Sequence, residues 1–184
     1  PFDPQHHVMN ITAPVLRTAV VNELNFPLPR WQETVDLTTS AESTLSIDLA
    51  RGHSNVGLVW PINYHFADMT LKGQGLLPRI GSVRQTGDKL EATVMNIAQL
   101  DQSKLGRAEL HYAVSAPTAR GGRFYEKDQW QKAPVERVHG LLQATVPVGT
   151  RACFLNLFWN DLPISSQFLL LGSVKSSMKT MKRD

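Results

Sequence analysis

The chain has 184 residues, of which 42% are hydrophobic and 19% charged. This composition can bury a core and excludes a disordered chain, and the length excludes a large enzyme with accessory modules. The formal net charge is only +3, and no long basic run is interleaved with aromatic residues. We therefore expect no nucleic-acid partner. The basic cluster of Lys175, Lys179, Lys182 and Arg183 predicts a solvated C-terminal tail at 175–184.

Three further features limit the class of protein. Cys153 is the only cysteine, which excludes an intrachain disulfide and a cysteine-based zinc site. The apolar runs are far shorter than the ~20 residues of a bilayer-spanning helix, so we expect no membrane span. The sequence starts at Pro1 with no initiator methionine and no signal segment, and we expect this to be a cut end.

The first part of the chain alternates between strand and helix signals. Residues 15–21 form an apolar run typical of a buried strand, and Pro29 opens a helix that extends to Thr38. Over residues 44–50, apolar and polar side chains alternate, as expected for a second strand. Pro61 opens a second helix that ends at Lys72 and Gly73. This order predicts α/β structure with the two strands parallel.

After Pro78 the hydrophobic period changes to two. Apolar and polar residues alternate over 89–94 and over 107–114. Residues 152–159 are apolar on both faces, as in a central strand. Ile164, Phe168 and Leu170 suggest a last strand. Turn clusters lie at 85–88, 101–106, 117–122 and 147–150. The sequence therefore predicts α/β structure over 1–78, followed by an all-β sandwich of immunoglobulin-like size over 79–174.

Two residues able to carry acyl-transfer chemistry follow the two predicted parallel strands. Glu23 comes after the first strand and His53 after the second, and parallel strands bring their carboxyl ends to one edge of a sheet. A carboxylate there can hold the Nδ1–H of an imidazole so that Nε2 takes a proton from a nucleophile. Spacing alone favours the alternative that both are solvated surface residues.

A family resemblance adds to this pattern. It is carried in the first part by Asn22-Glu23-Leu24-Asn25-Phe26-Pro27-Leu28, Trp31-Gln32, Gly52-His53, Trp60-Pro61, Phe66-Ala67-Asp68, Leu71-Lys72-Gly73 and Leu77-Pro78. It continues in Glu109-Leu110-His111-Tyr112, Trp130, Val146-Pro147-Val148-Gly149, Phe154-Leu155-Asn156 and Ile164-Ser165-Ser166. The chain resembles the last third of secreted α/β-hydrolases of the acetylxylan-esterase and dienelactone-hydrolase-like type. It is also similar to PhoPQ-activated pathogenicity-related proteins and prolyl-oligopeptidase-like peptidases.

The resemblance implies the last strands and helices of a hydrolase sheet, followed by an immunoglobulin-like β-sandwich. By position, Glu23 matches the triad acid and His53 the triad base. The acid is usually Asp, and the second His that commonly flanks the base is absent. The implied protein is a secreted or periplasmic serine esterase that acts on carboxylic esters or, as a second choice, on peptides. No cofactor is implied.

The nucleophile of such an enzyme is missing from the sequence. There is no G-x-S-x-G elbow and no HGGG-type oxyanion loop, and Ser54 is too close to His53 in the chain to replace the elbow serine. The expected partner is an N-terminal part of the same hydrolase that carries the serine. Two interpretations stay open, a piece of a longer hydrolase or a free-standing protein with hydrolase remnants.

A non-enzymatic module that binds glycan or protein is the alternative function. Trp130, Trp159, Tyr112 and Tyr125 could stack on sugar rings, although they fit core or interface positions better. The adjacent His6 and His7 do not have the spacing of metal ligands, and we expect no metal site. His65 is predicted on the second helix as a packed or solvated residue.

Overall fold

The computed structural model describes residues 8–22, 28–37, 42–52, 60–73, 75–114 and 130–171. These residues form two α-helices, α1 (Leu28–Asp36) and α2 (Pro61–Lys72), and eleven strands. The strands are β1 (Val15–Asn22), β2 (Ser43–Gly52), β3 (Arg84–Thr86), β4 (Lys89–Thr93), β5 (Leu105–Ala113), β6 (Trp130–Pro134), β7 (Glu136–Val138), β8 (Leu141–Thr145), β9 (Ala152–Trp159), β10 (Leu162–Ser165) and β11 (Leu169–Leu170).

The predicted order of strand, helix, strand and helix in the first part is confirmed. Proline occupies the first turn of both helices, where its missing N–H needs no partner. Gly73 ends α2 in the left-handed conformation, with φ of 61°, and donates its N–H to the carbonyl of Met69. Strands β1 and β2 pair in parallel, as the sequence predicts.

The strands form two sheets. The larger sheet has seven strands in the order β1-β2-β10-β9-β5-β6, with β11 also paired to β9. The smaller sheet has four strands in the order β3-β4-β8-β7. Within the described residues, β1 and β2 form the parallel pair and the remaining strand pairs are antiparallel.

The predicted fold class, α/β structure of a hydrolase type followed by a separate all-β sandwich, is wrong. The described chain is mostly β, and β2 pairs with β10, so strands from both sides of Pro78 share one mixed sheet. Periodicity and turn signals describe short stretches of chain, whereas Ile47 and Ser165 are bonded across 118 sequence positions. The predicted domain limits near Pro78 stay a prediction.

Both faces of the large sheet are covered. One face packs against the small sheet and α2 in a core that includes Trp60, Ile62, Leu90 and Leu155. The opposite face contacts α1 through a second core that includes Leu28, Ile47 and Phe154. All eight residues of β9 are buried as a result, as expected for a central strand covered on both sides.

Candidate functional site

The edge at which β1 and β2 end is the candidate site predicted from sequence. The two strands are paired from Val15 and Ser43 to Asn22 and Gly52, with a register shift between Val20 and Asn22. The last residues of both strands are therefore partners across the ladder. Residues that follow them begin from neighbouring backbone positions at one edge of the sheet.

Glu23, His53 and Ser54 themselves lie outside the described residues. Glu23 directly follows Asn22 in the chain, and His53 directly follows Gly52. The roles of Glu23 and His53 stay predictions.

Two other carboxylates of the first part lie away from the edge at which β1 and β2 end. Asp36 ends α1, where its Oδ1 accepts a hydrogen bond of 2.6 Å from Nε2 of Gln32. Asp48 lies inside β2. Neither Asp36 nor Asp48 follows the carboxyl end of β1 or β2.

His65 takes part in packing at the surface. It lies on α2 with its ring edge to face with Trp159, the ring centroids being 5.6 Å apart. This agrees with its prediction as a packed or solvated residue.

The structure also brings together a charged cluster that the sequence pattern did not single out. Glu109 and His111 share one face of β5, and Lys132 of β6 is the cross-strand partner of His111. Glu109 pairs with Arg107 at 2.9 Å and with Lys132 at 3.1 Å. Nε2 of His111 lies 3.2 Å from Oε2 of Glu109. One acidic group is thus surrounded by two cations and an imidazole.

Burial decides the protonation of this cluster. It lowers the pKa of His111 from 6.5 to about 4, against the opposing effect of Glu109. Burial also raises the pKa of Glu109, but the hydrogen bonds from Arg107 and Lys132 outweigh it and the net pKa is lowered. At neutral pH the imidazole is neutral and the carboxylate is ionised.

The environment of His111 makes it a core residue. Its ring stacks on Phe154 with centroids 5.2 Å apart, and only 2% of the residue is exposed. The sequence could place Arg107, Glu109 and His111 on one face by their spacing of two. The approach of Lys132 depends on pairing with β6, for which the sequence carries no local signal.

The two tryptophans proposed for a sugar-binding face are buried. Trp130 is 7% exposed and Trp159 is 4% exposed, which confirms the prediction that they are core residues. Trp130 contacts Phe154 edge to face at 5.3 Å. The Tyr112 hydroxyl donates a hydrogen bond to Oε1 of Gln131, and Tyr125 lies outside the described residues.

The described part of the chain holds no group of three or more His, Cys, Asp or Glu residues arranged to bind a metal ion; His6 and His7 lie outside it. Neither α1 nor α2, the helices of that part, is long and apolar enough to cross a membrane. No protein-family model matches the chain, and no curated protein matches it either.

Proposed function

We propose that this chain supplies the acid and the base of a Ser-Glu-His triad that hydrolyses carboxylic esters. Glu23 orients the histidine, His53 is the general base and then the general acid, and the serine lies on another segment of the same hydrolase. The observation that supports the proposal is the parallel pairing of β1 with β2, with Asn22 opposite Gly52 at their carboxyl ends. A secreted or periplasmic location belongs to the same proposal and rests on the resemblance.

The spacing of the strands suits the chemistry proposed. Neighbouring strands lie about 4.8 Å apart, and the proposed triad takes one side chain from the segment after each of two such strands. A carboxylate at position 23 can accept the Nδ1–H of an imidazole at position 53 and fix its tautomer. Nε2 is then free to take the proton of a serine hydroxyl as that oxygen attacks the ester carbonyl.

The outer edge of β1 supports the proposed partner. Among the described strands, β1 is at one end of the large sheet and pairs with β2 alone. Val20 packs into one core and Val21 into the other, so β1 is apolar toward both faces. An apolar strand covered on both faces is typical of a sheet interior. The segment that carries the serine can continue the sheet beyond this strand.

Burial of Trp130 and Trp159 weakens the alternative of a glycan-binding module. A sugar ring stacks on the open face of an aromatic ring, and both indoles are packed into cores. We therefore favour the enzymatic proposal.

The test uses the protein that the proposal requires, in which the serine-bearing segment is present together with this chain, assayed on p-nitrophenyl acetate. His53→Ala should lower kcat by on the order of 10⁵- to 10⁶-fold, since triad residues act as a unit. Glu23→Gln should lower it less, by about 10²- to 10⁴-fold, because an amide cannot stabilise the imidazolium. The chain alone should show no turnover, since it lacks the elbow serine.

Asp36→Asn and His65→Gln are the matched controls, because they change a carboxylate and an imidazole away from the strand ends. Both should retain nearly the parent rate. Parent-like rates for His53→Ala and Glu23→Gln, or serine-dependent turnover by the pure chain, would show that the proposal is wrong.

A further inference from the structure

A groove of about 430 Å³ lies between α1 and the last described residues of the chain. One wall is α1, a second is the consecutive run 167–171, and a third is formed by Val83 and Gln85. Because consecutive residues line it, the chain runs along the groove up to Leu171, where the described part ends. Residues 172–184 therefore follow directly from the wall of the groove.

The outer edge of β11 has no strand beside it within the described residues. On its inner edge β11 pairs with β9, where the N–H of Leu171 donates to the carbonyl of Arg151. Backbone groups of successive strand residues point in opposite directions, so the N–H and carbonyl of Leu170 face away from β9. The N–H of Phe168 faces the same way and donates to Oε1 of Gln32 in α1. An extended segment in the groove can therefore bond to Leu170.

The α1 wall of the groove is acidic. Glu33 and Asp36 both line it, and both are exposed, so an occupant of the groove can reach their carboxylates. Glu33 pairs with Arg30, which is not part of the lining. Asp36 accepts a hydrogen bond from the neutral amide of Gln32 and forms no ion pair within the described residues. Asp36 also ends α1, whose last turn has no basic residue, and the C-terminal end of a helix favours a cation.

The segment after Leu171 has the composition that such a groove favours. Most of its charged residues are basic, namely Lys175, Lys179, Lys182 and Arg183. It begins with Gly172 and Ser173, which are typical turn residues and allow the chain to reverse its direction. A segment tethered beside the groove is present there at a high effective concentration, so individually weak contacts are sufficient to hold it.

The two faces of β11 determine which side chain of a returning segment meets α1. A four-residue turn over 171–174 makes Lys175 the partner of Leu170, and residues opposite each other in an antiparallel pair share one face. Leu170 packs in the core that contains Leu28 of α1, so Lys175 falls on the side of the α1 carboxylates. A shift of one residue would put an uncharged side chain there instead.

We propose that the C-terminal segment of this chain docks in the groove, with a turn over 171–174 and the ammonium of Lys175 against Asp36 and Glu33. Leu170 and Lys175 exchange backbone hydrogen bonds. The segment is then held at its first residues instead of being solvated throughout, and it covers an edge of β11 that could otherwise pair with other chains. The proposal is independent of the proposed triad.

The test is limited trypsin digestion of the 184-residue chain, with the rates of cleavage after Lys175 and after Lys179 measured by mass spectrometry. The synthetic peptide 172–184 gives the ratio of these two rates for the free segment. Proteolysis follows the population of the open form when opening is fast. The rate after Lys175, relative to that after Lys179, should therefore be at least about tenfold lower in the chain than in the peptide.

Glu33→Gln combined with Asp36→Asn should raise this relative rate by about threefold or more, because the ion pairs with Lys175 are lost. Asp88→Asn combined with Glu136→Gln is the matched control, since both residues are exposed carboxylates that do not line the groove. It should change the relative rate by less than about twofold. The thermal midpoint of each variant shows that it is folded.

Three outcomes would overturn the proposal. The first is an equal relative rate in the chain and in the peptide, which means that the segment is solvated. The second is the same relative rate in the two double variants, which means that the α1 carboxylates do not hold the segment. The third is protection of Lys175 that increases with protein concentration, which means that the segment docks on a second copy of the chain.

Discussion

His111 is a buried imidazole in contact with a charged pair. It lies between the ring of Phe154 and the carboxylate of Glu109, which also pairs with Arg107 and Lys132. A charged imidazole would lose its hydration there, and the two nearby cations would repel it. The native structure therefore favours the neutral form, in agreement with a pKa of about 4.

This burial predicts a loss of stability in mild acid. The unfolded chain binds a proton at His111 below its ordinary pKa of 6.5, whereas the native chain does so only near pH 4. The unfolded state therefore holds more protons in this interval, and the free energy of unfolding should decrease as the pH falls from 6.5 to 4, by up to about 3 kcal/mol. Urea denaturation at several pH values measures the decrease.

His111→Phe should reduce that pH dependence because it removes the titrating group and preserves an aromatic ring beside Phe154. His65→Gln, which removes an exposed imidazole on α2, should leave the dependence as it is. The explanation fails if His111→Phe loses stability as steeply as the parent between pH 6.5 and 4. Protonation of Glu109 decreases the free energy of unfolding only at lower pH, because the pKa of this carboxyl is below its ordinary value of 4.5.

The sequence could predict part of this cluster. The alternation in β5 correctly separates Leu110 from Glu109 and His111, because successive side chains of a strand point to opposite faces. It also suggests that the polar face meets water. At His111 that face is in fact covered, with the imidazole stacked on Phe154, and a period of two carries no information about such cover.

Among the elements, the junction between β2 and β10 depends on buried side chains. Its ladder has one register pair, Ser165 with Leu45. The Ser165 hydroxyl accepts the N–H of Ile47 at 2.7 Å and donates to Oδ1 of Asn156 at 2.6 Å. Nδ2 of Asn156 donates to the carbonyl of Ile47. These bonds connect the two parts of the large sheet where the backbone ladder is short.

Ser165→Ala should therefore destabilise the chain. The change leaves the N–H of Ile47 and an oxygen of Asn156 without a partner in a buried setting, at a cost of about 1–3 kcal/mol. Urea denaturation measures the total effect, and hydrogen exchange at the amide of Ile47 should accelerate. Ser103→Ala, which removes an exposed hydroxyl bonded to Asp101, should cost less than about 0.5 kcal/mol. Equal effects for the two variants would contradict this account.

The elements differ in how well the sequence predicts them. β1, α1, β2 and α2 agree with the prediction to within a few residues, because proline, glycine and local periodicity define their ends. The single last strand predicted from Ile164, Phe168 and Leu170 is instead divided into β10 and β11. The division occurs because the N–H of Phe168 donates to Oε1 of Gln32 in α1, a partner 136 positions away that no local pattern indicates.

At the scale of the whole molecule, the two parts of the chain share a sheet and a core. Trp60, Ile62 and Leu77 from the first part pack in the same core as Leu90 and Leu155 from the second. The parallel pair behind Glu23 and His53 could be predicted from strand and helix order. The junction between β2 and β10 could not, since its bonded partners Ile47 and Ser165 are 118 positions apart.

Residues 79–184 expressed alone should fold with reduced stability. They retain β3–β11 and hence all of the small sheet, but they lack the core side chains of the first part, among them Trp60, Ile62 and Leu77, and the strand that pairs with β10. Each buried apolar side chain contributes about 1.5–3 kcal/mol, so the urea midpoint should be well below that of the parent chain. Near-UV circular dichroism reports the packing of Trp130 and Trp159. A molten fragment would show that the predicted limit near Pro78 does not separate independent domains.

The pairing of β2 with β10 also has a consequence for synthesis of the chain on the ribosome. The Ile47 amide and the Ser165 hydroxyl that bonds it are 118 positions apart. Translation at about 5–20 residues per second makes β10 roughly 6–24 seconds after β2. During that interval one edge of β2 lacks its native neighbour and can pair with other nascent chains. The long sequence separation also predicts slow folding, so chaperone protection of the early-made strands should improve the yield of folded protein.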